Sequence, residues 1–321
     1  MKNIRVLTVL PISIGGRLTT NSLIDGFKQN NCKVTVFDEL FDDNLPELLL
    51  SDYDYIAGYD FSGLKIKIDN GLNIPSINYF SDDIRSSTSG PEWQKYLPYL
   101  DDKDNYVFYW DKVLTSYENF PNIHYLPHFV NFDIYKDLNI KPQFDIMFAG
   151  RLDTDYRLSF FEELISKLPD LKIAWFAIEK HRKDAIKRAK KPELIDLCYQ
   201  GFIDNEIDMA RAINNAKIVF NMNSQGISSL NYRTMQTVAC KRLMISDYRE
   251  ELLLFDGNMP FYEDLSDLIF KIENYLDDDE AYKKVVERCY NIASKYHNSK
   301  DCVQYILKTV SKTRVLSTKE F

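Results

Sequence analysis

Short apolar runs of strand length alternate with longer amphipathic stretches along this chain, and the alternation pauses once before it starts again. Brief apolar runs bounded by polar or turn residues predict buried strands. In the first half they are Ile4 to Leu10, Lys33 to Phe37, Tyr55 to Ala57, Pro75 to Tyr79, Asn105 to Tyr109 and Ile123 to Leu126, with Lys112 to Thr115 continuing the pattern. Helical spacing appears from Leu18 to Gln29, after a Gly15-Gly16 loop, and from Leu45 to Ser51. The stretch from Pro127 to Pro142 breaks the rhythm and predicts a boundary between domains of residues 1–140 and 141–321. The second half resumes with strand Phe144 to Ala149, helix Tyr156 to Leu168, strand Leu171 to Phe176, a basic helix, strand Leu197 to Gly201 and helix Asn205 to Asn214. Strand Lys217 to Asn221, helix Asn231 to Cys240 and strand Leu243 to Ser246 follow, and three amphipathic helices near Asp264 to Leu276, Asp279 to Tyr296 and Lys300 to Val310 close the chain. This is the pattern of an α/β protein with two Rossmann-like parallel sheets, whose ligands gather at the carboxyl ends of the strands. Two such domains facing a cleft suit a transfer between two substrates.

Composition narrows the reading. At 321 residues, 45% apolar and 14% aromatic, the chain has enough material for two cores. No apolar run reaches the ~18–20 residues needed to span a bilayer. The opening MKNIRVLTVLPISIGG reads as a first strand and not as a leader, so a cytoplasmic protein is expected. Five scattered cysteines without a CxxC pair predict reduced, buried thiols. Four histidines without metal spacing, and Asp-x-Asp pairs at Asp52/Asp54 and Asp153/Asp155 that fall at a strand start and in a loop, give no reason to expect a metal or any other cofactor.

Charge is unevenly shared: residues 1–140 hold 12 Lys/Arg against 20 Asp/Glu, whereas residues 141–321 hold 28 of each. An acidic first half argues against a nucleic-acid acceptor there, because duplex DNA is gripped through Lys/Arg contacts to phosphate. The run Lys180 to Lys191 is strongly basic, and reads as a solvated helix face or as a contact with an anionic surface or polymer.

The stretch Cys198 to Asp247 carries the most chemistry. An apolar strand ending at Asn221 opens into a Ser/Asn/Gly loop and then a helix that begins near Ser228 and bears Arg233 and Gln236. Backbone donors at a helix start, joined by a cation, suit a phosphate. With Tyr125-Leu126-Pro127, Asn131, Tyr135, Phe148 to Arg151, Gly201-Phe202-Ile203, Glu206, Tyr262 to Leu265 and Tyr275-Leu276, it resembles the GT-B glycosyltransferases of the spore-maturation type. The likeness covers the second half well and the first half in layout.

That resemblance implies a sugar transfer, retaining and metal-independent, from a nucleoside diphosphate sugar, UDP by family frequency, to a hydroxyl of a glycan, protein or other acceptor. Arg233 and one of Arg151 or Arg157 would stabilise the departing diphosphate, with Gly150 in the turn before Arg151 and amides near Ser228 and Ser229 beside it. Gly201, Phe202 and Ile203 would wall the nucleobase, while Gly15, Gly16 and Arg17 of the first domain, and Asn231 of the second, would complete the donor site. Asp82, or its neighbour Asp83, would orient the acceptor hydroxyl. Two departures stand out: the family has Arg-x-x-Glu and Ala-Cys-Gly where this chain has Arg233-Thr-Met-Gln236 and Ala239-Cys240-Lys241. Gln236 would grip the ribose in place of a carboxylate. Two other readings stay open: a phage-type glycosyltransferase acting on DNA, and a nucleotide-sugar-binding partner subunit of reduced activity.

Overall fold

The computed structural model describes residues 4–49, 51–81, 94–223 and 227–317. They form two compact units, one of Met1–Asn131, Gln225–Leu230 and Lys295–Phe321, the other of Phe132–Ser224 and Asn231–Ser294.

The first unit is built on six strands, β1 Arg5–Leu10, β2 Lys33–Asp38, β3 Tyr55–Tyr59, β4 Ser76–Phe80, β5 Asn105–Tyr109 and β6 Ile123–Tyr125. All pair in parallel in the order β2-β1-β3-β4-β5-β6. Its helices are α1 Ile14–Gln29, α2 Leu45–Leu48, α3 Ser62–Asp69 and α4 Lys112–Tyr117. Three of these differ from the sequence expectation, which had no helix at Ser62–Asp69. Gly15 and Gly16 belong to the first turn of α1, capped by the Ser13 hydroxyl, and are not a loop. Gly16 is needed there, since a Cβ would meet the Ser13 hydroxyl at 2.6 Å and Pro11 and Tyr59 at 2.8 Å. Lys112 to Thr115 is helical because the Asp111 carboxylate accepts from the Val113 and Leu114 amides.

The second unit has strands β7 Phe144–Ala149, β8 Ile173–Phe176, β9 Ala216–Asn221, β10 Leu243–Asp247 and β11 Phe261–Tyr262, parallel in the order β11-β10-β9-β7-β8. Around them run α5 Asp155–Lys167, α6 Glu179–Arg188, α7 Pro192–Cys198, α8 Glu206–Asn214, α9 Tyr232–Ala239, α10 Leu265–Asp277 and α11 Asp279–Tyr296. Phe148, Phe161, Phe220 and Trp175 fill the middle, the Phe148 and Phe220 rings stacked at 4.9 Å. The expected strand Leu197 to Gly201 is instead the end of α7. Pro192 presets its first turn, Ile195 and Cys198 bury one face, and Leu197 points outward, so only Tyr199 bridges to Trp175.

The last helix, α12 Ser299–Ser317, lies in the first unit, not with the second half of the chain. Val303, Ile306 and Val310 are fully buried in the core that includes Leu23, Phe27 and Phe108. The approach to α1 is close: a Cβ on Gly26 would lie within 2.5 Å of the Ser299 carbonyl oxygen and nearer still to Val303.

Candidate functional site

The carboxyl edge of the second sheet gathers most of the polar chemistry of that unit. Arg157, in the first turn of α5, is buried against Phe148. One of its terminal nitrogens donates to the Met222 carbonyl just past β9, at 3.1 Å, and the other lies 3.6 Å from Asp153. Its Nε is sealed from solvent with no hydrogen-bond partner among the described residues. Burial lowers the pKa of this guanidinium from its ordinary value, with Asp153 opposing the shift. Arg151 is half exposed and pairs with the same Asp153 at 3.3 Å, so one carboxylate is shared by two cations. Gly150 precedes them, where an added Cβ would lie 3.0 Å from the Phe148 ring and 3.4 Å from Arg157.

Asn221, Met222 and Asn223 tie this edge together. Tyr262 donates to the Asn221 carbonyl at 2.9 Å, and the Asn223 side chain donates to Asp247 at 2.7 Å. Asn231 donates from its side chain to Asn221 at 2.6 Å and from its backbone to Asn223 at 3.1 Å. The same Asn231 is the N-cap of α9, accepting from the Thr234 amide. The helix therefore runs from its cap at Asn231, as the stretch Asn231 to Cys240 predicted, and not from near Ser228.

Arg233 stands in the first turn of α9. It donates to Gln236 Oε1 at 2.5 Å, and Gln236 Nε2 donates to Tyr135 Oη at 2.5 Å. Gln236 and Tyr135 are wholly buried. Arg233 Nε is also sealed without a partner, and no carboxylate among the described residues pairs with this guanidinium. Burial lowers its pKa, opposed by Tyr135, Tyr232 and Cys240. Burial likewise pushes the Tyr135 hydroxyl well above its ordinary value. Behind the helix, Lys241 adopts the left-handed conformation, φ +53°, in which a glycine would be at ease. Arg242 N to Thr237 O at 3.2 Å and Lys241 N to Val238 O at 3.0 Å complete a Schellman ending.

Other expected site residues lie apart from this edge or are already engaged. Gly201 takes φ +101° beside the end of β8, its carbonyl accepting from Ala177, with Phe202 exposed and Ile203 half-buried after it. Arg17 forks onto Asp38 at 2.8 and 2.5 Å, in the first unit. Ser228 and Ser229 also belong to the first unit and are buried: Ser228 donates to Asp111 at 2.9 Å and Ser229 to the Trp110 carbonyl at 3.0 Å. Asp82 and Asp83 lie outside the described residues.

The residue that sequence reasoning missed is Asp111. Its carboxylate is fully buried and accepts from the amides of Val113, Leu114, Ile227, Ser228 and Ser229 as well as from the Ser228 hydroxyl. Burial alone would raise its pKa, but the hydrogen bonds from Leu114, Ser228 and Ile227 outweigh it and hold the carboxylate below its ordinary value. The amides expected to cradle a phosphate thus cradle an internal anion. An isolated Trp-Asp before a short helix gave no sign of this, since Ile227, Ser228 and Ser229 lie more than a hundred positions away.

The basic run resolves into a surface network. Arg182 donates to Asp196 and Glu179, and Arg188 to Asp184 and Asp155, all on exposed ground. Among the described residues no helix is long and apolar enough to cross a membrane, and no group of three His, Cys, Asp or Glu could hold a metal ion.

Two parallel α/β sheets of this layout define the GT-B fold, and solved structures of that class superpose over nearly the whole chain. Sucrose-phosphate synthase from Thermosynechococcus elongatus does so with a TM-score of 0.72 at 11% identity, over 98% of this chain and 100% of its own. HepE from Anabaena, in complex with UDP-glucose, gives 0.71 at 12% identity over 96% and 100%. An alpha-glucosyltransferase in complex with UDP and a 13-mer DNA containing an HMU base gives 0.67 at 15% identity over 96% and 99%. No curated protein matches the chain in sequence. Residues 157–308 match the family model described as Glycosyl transferase-like, and the chain has the GT-B fold.

Proposed function

We propose that the protein moves a sugar from a nucleoside diphosphate donor, a UDP-sugar first among them, to a hydroxyl of a glycan, protein or other acceptor, with retention of configuration and without a metal. The observation that carries this reading is Arg233, a half-buried guanidinium at the start of a helix, its Nε sealed from solvent and no carboxylate among the described residues paired with it. Enclosed charges are ordinarily paired, and an unpaired one at a helix N-terminus suits an anionic ligand. Arg157 and Arg151, half-satisfied by one shared Asp153, offer further positive charge on the same sheet edge. As the bond from the anomeric carbon to the β-phosphate oxygen breaks, negative charge grows on the diphosphate, where fixed cations help most. The acceptor oxygen bonds the same carbon, and its proton passes to the leaving phosphate. HepE and the alpha-glucosyltransferase, which share the fold, are described with UDP-glucose and with UDP respectively, and UDP is the nucleotide to try first.

Calorimetric titration with UDP and GDP, on the protein and on Arg233→Ala, tests the reading. Arg233→Ala is expected to weaken diphosphate binding at least tenfold; unchanged binding would rule Arg233 out. Tight binding without hydrolysis or transfer of any UDP- or GDP-sugar would favour a partner subunit over an enzyme acting alone.

A further inference from the structure

We infer that Gln236 is a positioning residue, which aims Arg233 while leaving its charge intact, and that an amide at this position sets how tightly the site holds a diphosphate. This rests on the proposal that Arg233 binds that diphosphate. A guanidinium has only donors, so the group facing it must present an acceptor, and Gln236 turns its Oε1 to Arg233. A flipped amide would set its NH2 against the donor-only guanidinium, so Oε1 stays on Arg233 and Nε2 donates to Tyr135 Oη, itself without exposed surface. Both polar atoms of Gln236 are used inside the unit and none of its surface reaches solvent, so it has no free group for a ribose. An orienting carboxylate would hold Arg233 equally well but would cancel its charge, since an enclosed ion pair is screened little. No carboxylate among the described residues pairs with Arg233; the groups acting on it are Tyr135, Tyr232 and Cys240. Gln236 therefore separates aim from neutralisation.

Gln236→Glu is a fair test because Tyr135 can turn its O–H to donate to the new carboxylate, which keeps the packing. In full-length protein it is expected to melt at or above the temperature of the parent, to bind UDP (or GDP, if that binds more tightly) at least tenfold more weakly, and to keep its affinity for the matching nucleoside within twofold. Its diphosphate affinity should also lose most of its dependence on salt. Gln236→Met, which carries no charge and no acceptor, is expected to fall between the two in diphosphate affinity, with nucleoside affinity and salt dependence kept. Diphosphate binding unchanged in either variant, or nucleoside affinity falling in the same proportion, would overturn the inference by making Gln236 a packing residue. The parallel Arg233→Ala titration separates the two levels. If Arg233→Ala or the parent shows no diphosphate-dependent difference, the reading of Arg233 itself fails; if Arg233→Ala loses binding and Gln236→Glu does not, only the role of Gln236 fails.

Discussion

Two side chains with inverted charge logic stand out at the residue scale. Arg233 is a cation without an anion among the described residues, and Asp111 is an anion with six donors. Asp111→Asn replaces a charged acceptor with a group that turns an N–H toward amides, and is expected to cost about 3 kcal/mol of stability, read from urea midpoints. Histidine titration gives a separate signal in the same unit. His128, held at 3.1 Å from the Tyr79 hydroxyl, is pushed down to about 3 by burial and by the nearby charge of His297. Burial pushes His297 down to about 4. In the unfolded chain both titrate near 6.5, so below that pH the unfolded state takes up protons the folded state refuses. The stability they contribute is whole above pH ~6.5 and falls as pH drops toward 4, by up to about 1.4 kcal/mol per pH unit for each histidine. Denaturation midpoints at pH 7, 6 and 5 should show this slope, and His297→Gln should lower it by about one proton. A flat profile from pH 7 to 5 would mean that these rings take up protons in the fold as readily as in the unfolded chain. Asp111 adds a further loss only below pH ~4, where carboxylates begin to titrate.

At the scale of elements, α9 shows how much a sequence discloses. Its existence, Arg233 and Gln236 on it, and the strands on either side were legible from periodicity, because apolar spacing reports which face is buried. Its start was read in two ways, from Asn231 and from near Ser228, since Ser228, Ser229 and Asn231 are all good caps, and tertiary contacts choose Asn231. Residues Ile195, Leu197 and Cys198 carried both strand and helix patterns, and Pro192 decided for helix. Lys241 looked like a threat to activity where a glycine was expected, yet it closes the helix normally, its ammonium 3.2 Å from Glu287 and over the Tyr290 ring. Lys241→Gly is expected to relieve about 1 kcal/mol of left-handed strain, to lose a similar amount of surface pairing, and so to leave the melting temperature within a few degrees and nucleotide binding unchanged. Gly26 is a sharper case. Gly26→Ala forces a methyl into Val303 and the Ser299 carbonyl and should destabilise by about 1–3 kcal/mol, visible in thermal melts.

For the whole molecule, charge remains the best guide to partners. The excess of negative charge in residues 1–140, and the commitment of Arg182 and Arg188 to neighbouring carboxylates, predict no salt-sensitive retention on duplex DNA even at low ionic strength. Steep salt-dependent binding would instead favour a DNA acceptor. Chain order was a poor guide to membership: residues 227–230 and α12 were assigned by proximity in sequence to the second half, but the first unit owns both. Nothing in local composition reveals such long-range ownership, because it is set by one buried acid and by a helix face of Val303, Ile306 and Val310.

The Asp111 anchor finally bears on how this chain can be cut and recombined. A gene fragment encoding 132–294 would carry, as part of its own text, a tetrapeptide whose folded place is on the other unit. Grafting that fragment onto a foreign partner should succeed only where the recipient supplies an equivalent buried acid after its fifth strand. Inheritance of the stretch from 227 to 230 follows the domain that brings the carboxylate, not the domain whose sequence encloses it.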